Sequence, residues 1–338
     1  MQVIELSEFG PENLRMTSRP DPLPGPGEVI VAVRGASLNY RDLLMIAGQY
    51  NPRQALPLVP LSDGAGEVVA IGDGVTRVQL GDRVVGLFAQ RWFAGQPTRD
   101  QLKFTLGGPL DGALQQLWKL PQDGVARVPD YLTWSEAATL PCAALTAWTA
   151  LIEQGGLRPG ETVLVQGTGG VSIFALQIAV MAGARVIVTS SSDAKLAQAR
   201  ALGAWQTVNY AERPDWGKAA VALTGGVGVD HVVEVGGAGT LAQSLLAVRP
   251  GGHVAVIGVL AGGAGPVNLT QVLMNNLRLQ GVLVGHRQAF EAMCRAFELQ
   301  RLRPAVDRQF SWRDLGQAMD HQRQGRHFGK VAVTLDAA

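Results

Sequence analysis

The most regular pattern of apolar and polar positions lies near the middle of the chain, where an apolar run enters a glycine-rich turn. The β-branched run Val163–Val165 predicts a buried strand, and residues 166–172 (QGTGGVS) form the turn. Apolar positions then recur at helical spacing over residues 173–179 (IFALQIA). This order predicts a strand–turn–helix unit at the start of a dinucleotide-binding fold.

The same alternation of elements continues downstream. Apolar runs predict strands at residues 184–189, 230–235, 253–258 and 279–284, and helical patterns occupy 192–202, 216–224 and 240–248. Nearly continuous apolar strands are typical of a parallel sheet that is buried on both faces, so we expect a doubly wound α/β sheet of the Rossmann type. His231 and His253 stand at strand starts, where we expect them to face solvent or to pack at the sheet edge.

Residues before about 140 follow a different pattern. Segments 28–34, 64–72 and 81–86 predict short strands, two of them bent at glycines, and residues 39–47 predict a short amphipathic helix. Such strands indicate a compact, partly open β-barrel, and the polar segment 89–109 predicts a lid-like loop. A helix at 288–300 and a strand at 327–333 are expected to return to this barrel. The predicted domains are therefore 1–143 with 287–338, and 144–286.

Composition narrows the class of protein. Of the 338 residues, 47% are hydrophobic and 17% are charged, and the net charge is +1, which indicates a globular protein without a nucleic-acid partner. We see no apolar run that could span a bilayer and no signal-peptide pattern, so we expect a cytoplasmic protein without a membrane partner. Cys142 and Cys294 are the only cysteines, which excludes a disulfide framework and a four-cysteine zinc lobe.

The glycine-rich turn indicates a site for an anion. Gly167 allows a sharp turn, and the missing Cβ of Gly169 allows a pyrophosphate to approach the backbone. The unpaired N–H groups and the dipole of the following helix favour the same anion. Ser172 stands where a third glycine or alanine is usual, and it is small enough for helix–strand packing. The alternative is an α/β domain that binds no nucleotide. We expect cofactor contacts from Gly167, Thr168, Gly169, Gly170 and Val171.

The end of the second parallel strand bears on the choice of cofactor. A site for NAD usually has an acidic residue there, whereas this strand ends in residues 189–192 (TSSS). Asp193 follows only after the serines, where it is expected to cap the next helix. Hydroxyl groups near Lys195 suit a 2′-phosphate, so NADP(H) is favoured over NAD(H). The alternative is that Lys195 and Tyr210 are ordinary surface residues. The predicted contacts at this edge are Ser190, Ser191, Lys195 and Tyr210.

A set of segments spread along the chain matches one family. They are GAGEVVAIG (64–72), GDRVVG (81–86), LPCAALTAW (140–148), GTGGVSIFALQIA (167–179), TSSSDAKL (189–196) and HFGKV (327–331). Together they resemble the medium-chain dehydrogenase/reductase superfamily, and in particular its zinc-independent alcohol dehydrogenase-like and quinone oxidoreductase-like branches. The resemblance covers nearly the whole chain. It implies a GroES-like catalytic domain, a Rossmann domain and hydride transfer with a nicotinamide cofactor.

The chain departs from the zinc-dependent members of that superfamily at their ligand positions. Where those members carry an early helix cysteine and a Gly-His-Glu triplet, this chain has Asn39 and Leu61-Ser62-Asp63, and only Cys142 keeps its residue type. One thiol with a distant carboxylate does not make the three-ligand protein site of a catalytic zinc. We therefore expect no metal, and we expect Cys142 to be a small buried apolar residue.

Without a metal, another group has to polarise or protonate the substrate oxygen. Tyr50 matches a cleft tyrosine of similar enoyl reductases, although it is equally an aromatic plug in a loop. Asn39 replaces the first zinc ligand, so its amide is a candidate to hold the oxygen, and Tyr40 beside it is a further candidate. Arg41 and Asp42 are expected to form a solvated or interdomain pair. Alternatively, orientation alone supports catalysis and water supplies the proton.

The resemblance also implies cofactor contacts outside the glycine turn. Thr146 aligns with a threonine that contacts the nicotinamide ring, and Gly285 with His286 falls where backbone groups meet the carboxamide. Lys330 is expected to approach the phosphates. The remaining contacts are expected where the fourth and fifth parallel strands end, at Val235, Gly236, Gly258 and Val259.

These observations favour a zinc-independent NADP(H)-dependent oxidoreductase that acts on a small alcohol or carbonyl compound. A quinone or enoyl reductase is the first alternative, and an NADPH-binding sensor or structural protein with little turnover is the second. The stretch 277–285 is expected to form an apolar edge strand that pairs across a two-fold axis, which predicts a homodimer.

Overall fold

The computed structural model describes residues 1–336, in which the chain divides into two compact units. One unit is Met1–Leu145 with Val284–Ala338, and the other is Thr146–Leu283. The sequence places the same divisions at 143/144 and 286/287. Among residues 1–336, no helix has the length and apolar character needed to cross a membrane.

The elements alternate in the second unit and are mainly strands in the first. The strands are β1 Gln2–Leu6, β2 Leu14–Ser18, β3 Glu28–Ser37, β4 Asp63–Ile71, β5 Arg83–Gly86, β6 Leu117–Pro121, β7 Val125–Arg127, β8 Thr162–Gln166, β9 Arg185–Ser190, β10 Gln206–Asn209, β11 Val229–Glu234, β12 Val248–Val256, β13 Arg278–Gly281, β14 Val306–Ser311 and β15 Lys330–Thr334. The α-helices are α1 Tyr40–Ile46, α2 Trp134–Ala138, α3 Leu145–Trp148, α4 Gly170–Met181, α5 Asp193–Ala201, α6 Trp216–Leu223, α7 Leu241–Ala247, α8 Leu269–Met274, α9 Arg287–Gln300 and α10 Leu315–Arg323.

The second unit is built on a parallel sheet. Within the described residues its strand order is β10-β9-β8-β11-β12-β13, and every neighbouring pair is parallel. Strand β8 is buried along its whole length, as its continuous apolar run predicts. Its core includes Leu164, Ile187, Val208, Trp216 and Val232. The expected Rossmann architecture is confirmed.

The two histidines of this sheet are not where the sequence places them. His231 and His253 are register partners on the neighbouring strands β11 and β12, and their side chains are 5% and 1% exposed. Their Nδ1 atoms lie 3.3 Å apart, and His231 Nε2 lies 3.0 Å from a carboxylate oxygen of Glu161. The expectation of solvent exposure or an edge position is wrong because β11 and β12 have sheet neighbours on both sides.

The first unit contains a seven-stranded sheet, within the described residues, in the order β14-β15-β3-β4-β5-β7, with β6 also paired to β3. Strand β3 pairs antiparallel with β4, β6 and β15, so it brings together segments that lie far apart in the sequence. Ser37 at its end is the register partner of both Asp63 and Ala332. The core of this unit contains Trp118 and Trp312, both almost fully buried. The GroES-like domain is confirmed.

The predicted lid-like loop 89–109 is attached to its own unit. Trp92 is 5% exposed, and its ring makes an edge contact with His286, with the ring centroids 5.6 Å apart. The carbonyls of Trp92 and Phe93 accept hydrogen bonds from the backbone N–H groups of Arg287 and Gln288. These contacts tie the loop to the start of α9.

Candidate functional site

The glycine-rich turn has the geometry that an anion site needs. Gly167 follows β8 with a φ of +68°, a conformation that favours glycine, and its N–H donates to Thr189 O at 2.8 Å. A Cβ at Gly167 would meet no atom within 4 Å, so the backbone faces open space there. Helix α4 begins at Gly170, and the N–H groups of its first turn have no intrahelical partners. Gly167 to Val171 therefore form one continuous turn at the start of α4, and their contacts with a pyrophosphate stay a prediction.

Ser172 explains how this turn tolerates a residue in place of the usual third glycine or alanine. Its side chain is buried, and its Oγ donates to Gln166 O at 2.7 Å. The hydroxyl thus satisfies a carbonyl at the end of β8, while its size still allows α4 to pack on the strand. The predicted packing role of Ser172 agrees with these contacts.

The end of β9 presents hydroxyl groups and no acid. Ser190 is buried, and its Oγ accepts from Ser192 N at 3.2 Å. Ser192, not Asp193, caps α5, because its Oγ accepts from Lys195 N at 3.4 Å. The Asp193 carboxylate accepts instead from Asn209 Nδ2 at 2.9 Å. The predicted Asp193 cap is therefore wrong by one residue.

The other predicted residues at this edge are Ser191, Lys195 and Tyr210. Tyr210 is 43% exposed, and its N–H donates to Ser190 O at 3.1 Å, so the two segments lie side by side. Their contact with a 2′-phosphate stays a prediction.

A buried carboxylate that the sequence analysis missed organises the turn after β11. Glu234 is fully buried and accepts hydrogen bonds from the N–H groups of Gly236 and Gly237 and from Thr240 Oγ1. Gln166 donates to the same carboxylate at 2.7 Å and accepts from Gly236 N at 3.2 Å. The signal was a single acidic residue at the end of the apolar run VDHVVE.

Gly258 lies two residues beyond the end of β12, close to the same turn. A Cβ at Gly258 would lie 2.4 Å from Val235 O, which leaves no room for a larger residue. Val259 beyond it is 56% exposed. The predicted residues Val235, Gly236, Gly258 and Val259 thus lie together at the carboxyl ends of β11 and β12, where doubly wound sheets bind ligands.

Three further predicted cofactor residues have structural contacts of their own. Thr146 is buried in the second unit. In the first unit, Gly285 precedes His286, and His286 caps α9 through Nδ1, which accepts from Ala289 N at 3.0 Å. The predicted cofactor contacts of all three stay predictions.

A buried polar cluster lies where β3, β4 and β15 meet in the first unit. It consists of Ser37, Asn39, Ser62, Asp63 and Lys330, of which four are buried and Asn39 is half-buried. The Lys330 ammonium donates at 2.6 Å both to Leu38 O and to Asn39 Oδ1, and it lies 3.8 Å from Asp63 Oδ2. Asn39 Nδ2 donates to Asp63 Oδ2 at 2.8 Å. The ammonium of Lys330 is thus committed to the amide of Asn39, and its predicted contact with the cofactor phosphates stays a prediction.

Asp63 is the acceptor at the centre of this cluster. Its carboxylate also accepts from Ser37 Oγ at 3.2 Å and from Ser62 Oγ at 3.1 Å. Burial raises the pKa of Asp63, while Lys330 and the three donors oppose that shift. The same carboxylate therefore already accepts hydrogen bonds from three side chains of the protein.

Arg41 and Asp42 are buried rather than solvated, contrary to expectation. Arg41 donates to Leu106 O at 3.1 Å and to Gly108 O at 3.3 Å, and its guanidinium lies 4.9 Å from the ring centroids of both Tyr50 and Phe88. Asp42 accepts from Asn39 N at 2.8 Å, and burial raises its pKa to about 6.

The two candidate tyrosines lie at the surface of the first unit. Tyr40 is 48% exposed and Tyr50 is 45% exposed. The Tyr50 ring also lies against the guanidinium of Arg41, and both the catalytic role and the packing role of Tyr50 stay predictions.

The residues at the zinc-ligand positions do not fit a catalytic zinc. Desolvation raises the pKa of the Cys142 thiol, which opposes the thiolate that the metal requires. The Asp63 carboxylate is used by three donors, and the ammonium of Lys330 holds Asn39. Within residues 1–336, no group of three or more His, Cys, Asp or Glu side chains could hold a metal ion.

Comparison with known proteins matches both units to dehydrogenase domains. The family model of the alcohol dehydrogenase GroES-like domain matches residues 25–130, and that of the zinc-binding dehydrogenase matches residues 170–298. A zinc-type alcohol dehydrogenase-like protein of Schizosaccharomyces pombe is 43% identical over 317 residues, which is 92% of each chain.

Solved structures give the same result. A crystal structure of an alcohol dehydrogenase-like protein from Sinorhizobium meliloti has a TM-score of 0.92 and 43% identity, over 98% of both chains. The crystal structure of an NAD-dependent alcohol dehydrogenase has a TM-score of 0.91 and 34% identity, over 99% of this chain and 100% of that one.

Proposed function

The chain belongs to the medium-chain dehydrogenase/reductase superfamily and is an NAD(P)-dependent oxidoreductase, and we propose that it is a zinc-independent, NADP(H)-dependent enzyme for a small alcohol or carbonyl substrate. The observation that carries this proposal is the cluster of Asn39, Asp63 and Lys330. The oxygen atoms of Asn39 and Asp63 that could coordinate a metal accept hydrogen bonds there from Lys330 and from Asn39.

The preference for NADP(H) is supported by the chemistry at the end of β9. Ser190 and Ser191 supply hydroxyl groups, and Lys195 supplies a cation in the first turn of α5. The nearest acid, Asp193, is hydrogen bonded to Asn209. A 2′-phosphate gains charge-assisted hydrogen bonds in such surroundings, whereas a bare ribose hydroxyl has no carboxylate to bind.

The reaction places a defined demand on the first unit. A bound cofactor supplies a hydride from its reduced nicotinamide to the carbonyl carbon and takes one back in the reverse direction. The π electron pair of the carbonyl then moves to oxygen, which needs an N–H or O–H donor and, finally, a proton from water. Asn39 is half-buried and carries an amide N–H group, so it serves as that donor. Tyr40 beside it is 48% exposed and carries an O–H donor.

An enoyl or quinone reductase is the second candidate, and Tyr50 favours it. Reduction of an activated alkene leaves a carbanion or enolate that an accessible phenol can protonate. Tyr50 is 45% exposed, and its ring lies against the guanidinium of Arg41. A binding protein with little turnover is the remaining alternative.

One experiment tests these proposals in order. The purified protein is treated with a chelator, its zinc content is measured, and it is titrated with NADPH and NADH by nicotinamide fluorescence. We expect tighter binding of NADPH without metal, followed by oxidation of NADPH with aldehydes and ketones. Equal or tighter binding of NADH contradicts the cofactor proposal, and activity restored only by added zinc contradicts the zinc-free site. Faster turnover of enones or quinones favours the second candidate, and binding without turnover favours a sensor.

We also infer that two copies of the chain pair through the second unit. Strand β13 is an edge strand that pairs only with β12 within the described residues, and its Leu279 is 36% exposed. On the preceding helix α8, Leu273 and Met274 are each 73% exposed. Exposed apolar residues beside an open strand are usually covered by a partner, and a second copy would extend the sheet across a two-fold axis. Light scattering tests this inference: a monomer at micromolar concentration contradicts it.

A further inference from the structure

The amide of Asn39 has one charged partner on each side. Lys330 Nζ lies 2.6 Å from Oδ1, and Asp63 Oδ2 lies 2.8 Å from Nδ2. An ammonium can only donate and an ionised carboxylate can only accept, so the two partners determine which end of the amide is oxygen and which is nitrogen. Neither partner is itself exposed, since Lys330 is 3% exposed and Asp63 is fully buried. The half-buried, neutral Asn39 is thus held between two buried charged side chains.

The partners are held in place by the sheet. Lys330 is the first residue of β15, and its ammonium also donates to Leu38 O at 2.6 Å. The neighbouring N–H of Leu38 donates to Val331 O at 3.0 Å, so the backbone of β15 is bound to the same residue. Asp63 begins β4 and is the register partner of Ser37, which donates to it. Neither charge can move away from Asn39 without breaking these bonds.

One amide hydrogen remains weakly used. Nδ2 carries two hydrogens, and apart from Asp63 its acceptor is Ser62 Oγ at 3.4 Å, which is longer than an ordinary N–H···O bond. Polarisation by the ammonium at Oδ1 strengthens the amide as a donor, because hydrogen bonds in a chain reinforce one another.

We propose that Lys330 and Asp63 are positioning residues that orient and polarise the Asn39 amide, so that the substrate oxygen can replace the long contact to the buried Ser62 Oγ and accept the second N–H. This inference rests on the proposed function, in which Asn39 is the donor. In this proposal Lys330 acts through Asn39, and its role differs from the predicted contact with the cofactor phosphates. The fixed cation supplies in this way some of the electrostatic support that a metal gives elsewhere, without binding the substrate.

A double-mutant cycle tests the coupling. Loss of one oxyanion donor costs about 10²–10³-fold in kcat, which is the expectation for Asn39→Ala. Lys330→Met should lower kcat by about tenfold, with the Kd for NADPH and the KM unchanged, because a charge-assisted bond to the donor is lost. If Lys330 acts through Asn39, the double variant is no slower than Asn39→Ala alone. Multiplying losses, or an unchanged kcat in Lys330→Met, would overturn the proposal. Lys119→Met, at a lysine of the same sheet paired with Glu28, is the matched control.

A second measurement does not depend on turnover. The sequence contains seven asparagines, so selective ¹⁵N labelling gives few side-chain NH₂ signals, and the Asn39 signal is the one missing from Asn39→Ala. In Lys330→Met we expect this signal to shift and its hydrogen exchange to become at least about tenfold faster, because the bonds that protect it are lost. An unchanged Asn39 signal would overturn the proposal even if the chain has no dehydrogenase activity. Lack of turnover with a responsive signal would instead refute only the proposed function.

Lys330→Gln is a second variant for the case in which Lys330→Met does not fold, since its side chain keeps an N–H donor without the charge. We expect it to retain the orientation of Asn39 but to lose the polarisation, with a kcat between those of the native protein and Lys330→Met. A kcat equal to the native value would show that charge is irrelevant and would overturn the polarising role.

Discussion

His231 and His253 face each other across neighbouring parallel strands, with their Nδ1 atoms 3.3 Å apart, and Nε2 of His253 is buried without a hydrogen-bond partner within residues 1–336. His231 reaches the Glu161 carboxylate with its other nitrogen. One of the two rings must therefore donate to the other, and the pair is satisfied only while at least one Nδ1 is unprotonated.

This pair predicts a loss of stability in acid. Burial, with contributions from His231 and Arg278, lowers the pKa of His253 to about 4. The neutral His253 ring contributes its full stabilisation above the unfolded pKa of about 6.5. As the pH falls towards the folded value that contribution is lost, so the free energy of unfolding is lower by about 2 kcal/mol at pH 5. We expect the melting temperature to fall between pH 7.5 and 5, and to fall less in His253→Phe. An equal fall in both proteins would show that other groups cause the acid sensitivity.

Gly258→Ala should disturb the cofactor-binding edge. The new Cβ would lie 2.4 Å from Val235 O, so the turn has to move, at a cost of about 1–3 kcal/mol. We expect a lower melting temperature and weaker binding of NADPH, measured by calorimetry and fluorescence titration. Gly316→Ala, on α10, is the matched control, because its Cβ would meet no described atom within 4 Å. If the two variants behave alike, the close approach at Gly258 has no role in binding.

Lys195→Ala should weaken the binding of NADPH but not that of NADH. Loss of a charge-assisted bond to the 2′-phosphate should raise the Kd for NADPH by about tenfold and leave that for NADH unchanged. Lys218→Ala, at an exposed lysine on α6, should change neither value. Equal weakening of both cofactors by Lys195→Ala would place the lysine away from the 2′-phosphate.

Tyr50→Phe should distinguish the two candidate reactions. The variant keeps a ring beside Arg41 but loses the hydroxyl that would protonate a reduced alkene, so enone reduction should fall by about 10²-fold. Carbonyl reduction, which depends on Asn39, should change less than threefold, as measured by NADPH oxidation with matched substrates. If neither rate changes, Tyr50 acts only in packing.

Local features of the fold follow from the sequence, because a few neighbouring residues specify them. The turn from β8 to α4 depends on Gly167, Gly169 and the apolar residues around them, and the prediction agrees with the structure. The predicted cap of α5 is wrong because Ser192 and Asp193 are both good capping residues. The sequence does not show that the Asp193 carboxylate accepts from Asn209 instead.

Features that depend on strand register could not be predicted in the same way. Asn39, Asp63 and Lys330 meet only because β3 pairs with both β4 and β15, and the residues are up to 291 positions apart. The sequence marked Asn39 and Lys330 separately and assigned them to different ligands. Glu234 was missed for a similar reason, since the groups that donate hydrogen bonds to its carboxylate lie on the turn after β11 and on β8.

The place of β15 in its sheet has a consequence for how the protein is made. Strand β15 lies between β14 and β3, and it carries Lys330, whereas the second unit is one continuous segment, Thr146–Leu283. A ribosome therefore produces every residue of the second unit before it produces β15, the strand that completes the sheet of the first unit. We expect the dinucleotide-binding unit to fold first during synthesis, and the edges of β3 and its neighbours to need protection until residues 330–334 emerge.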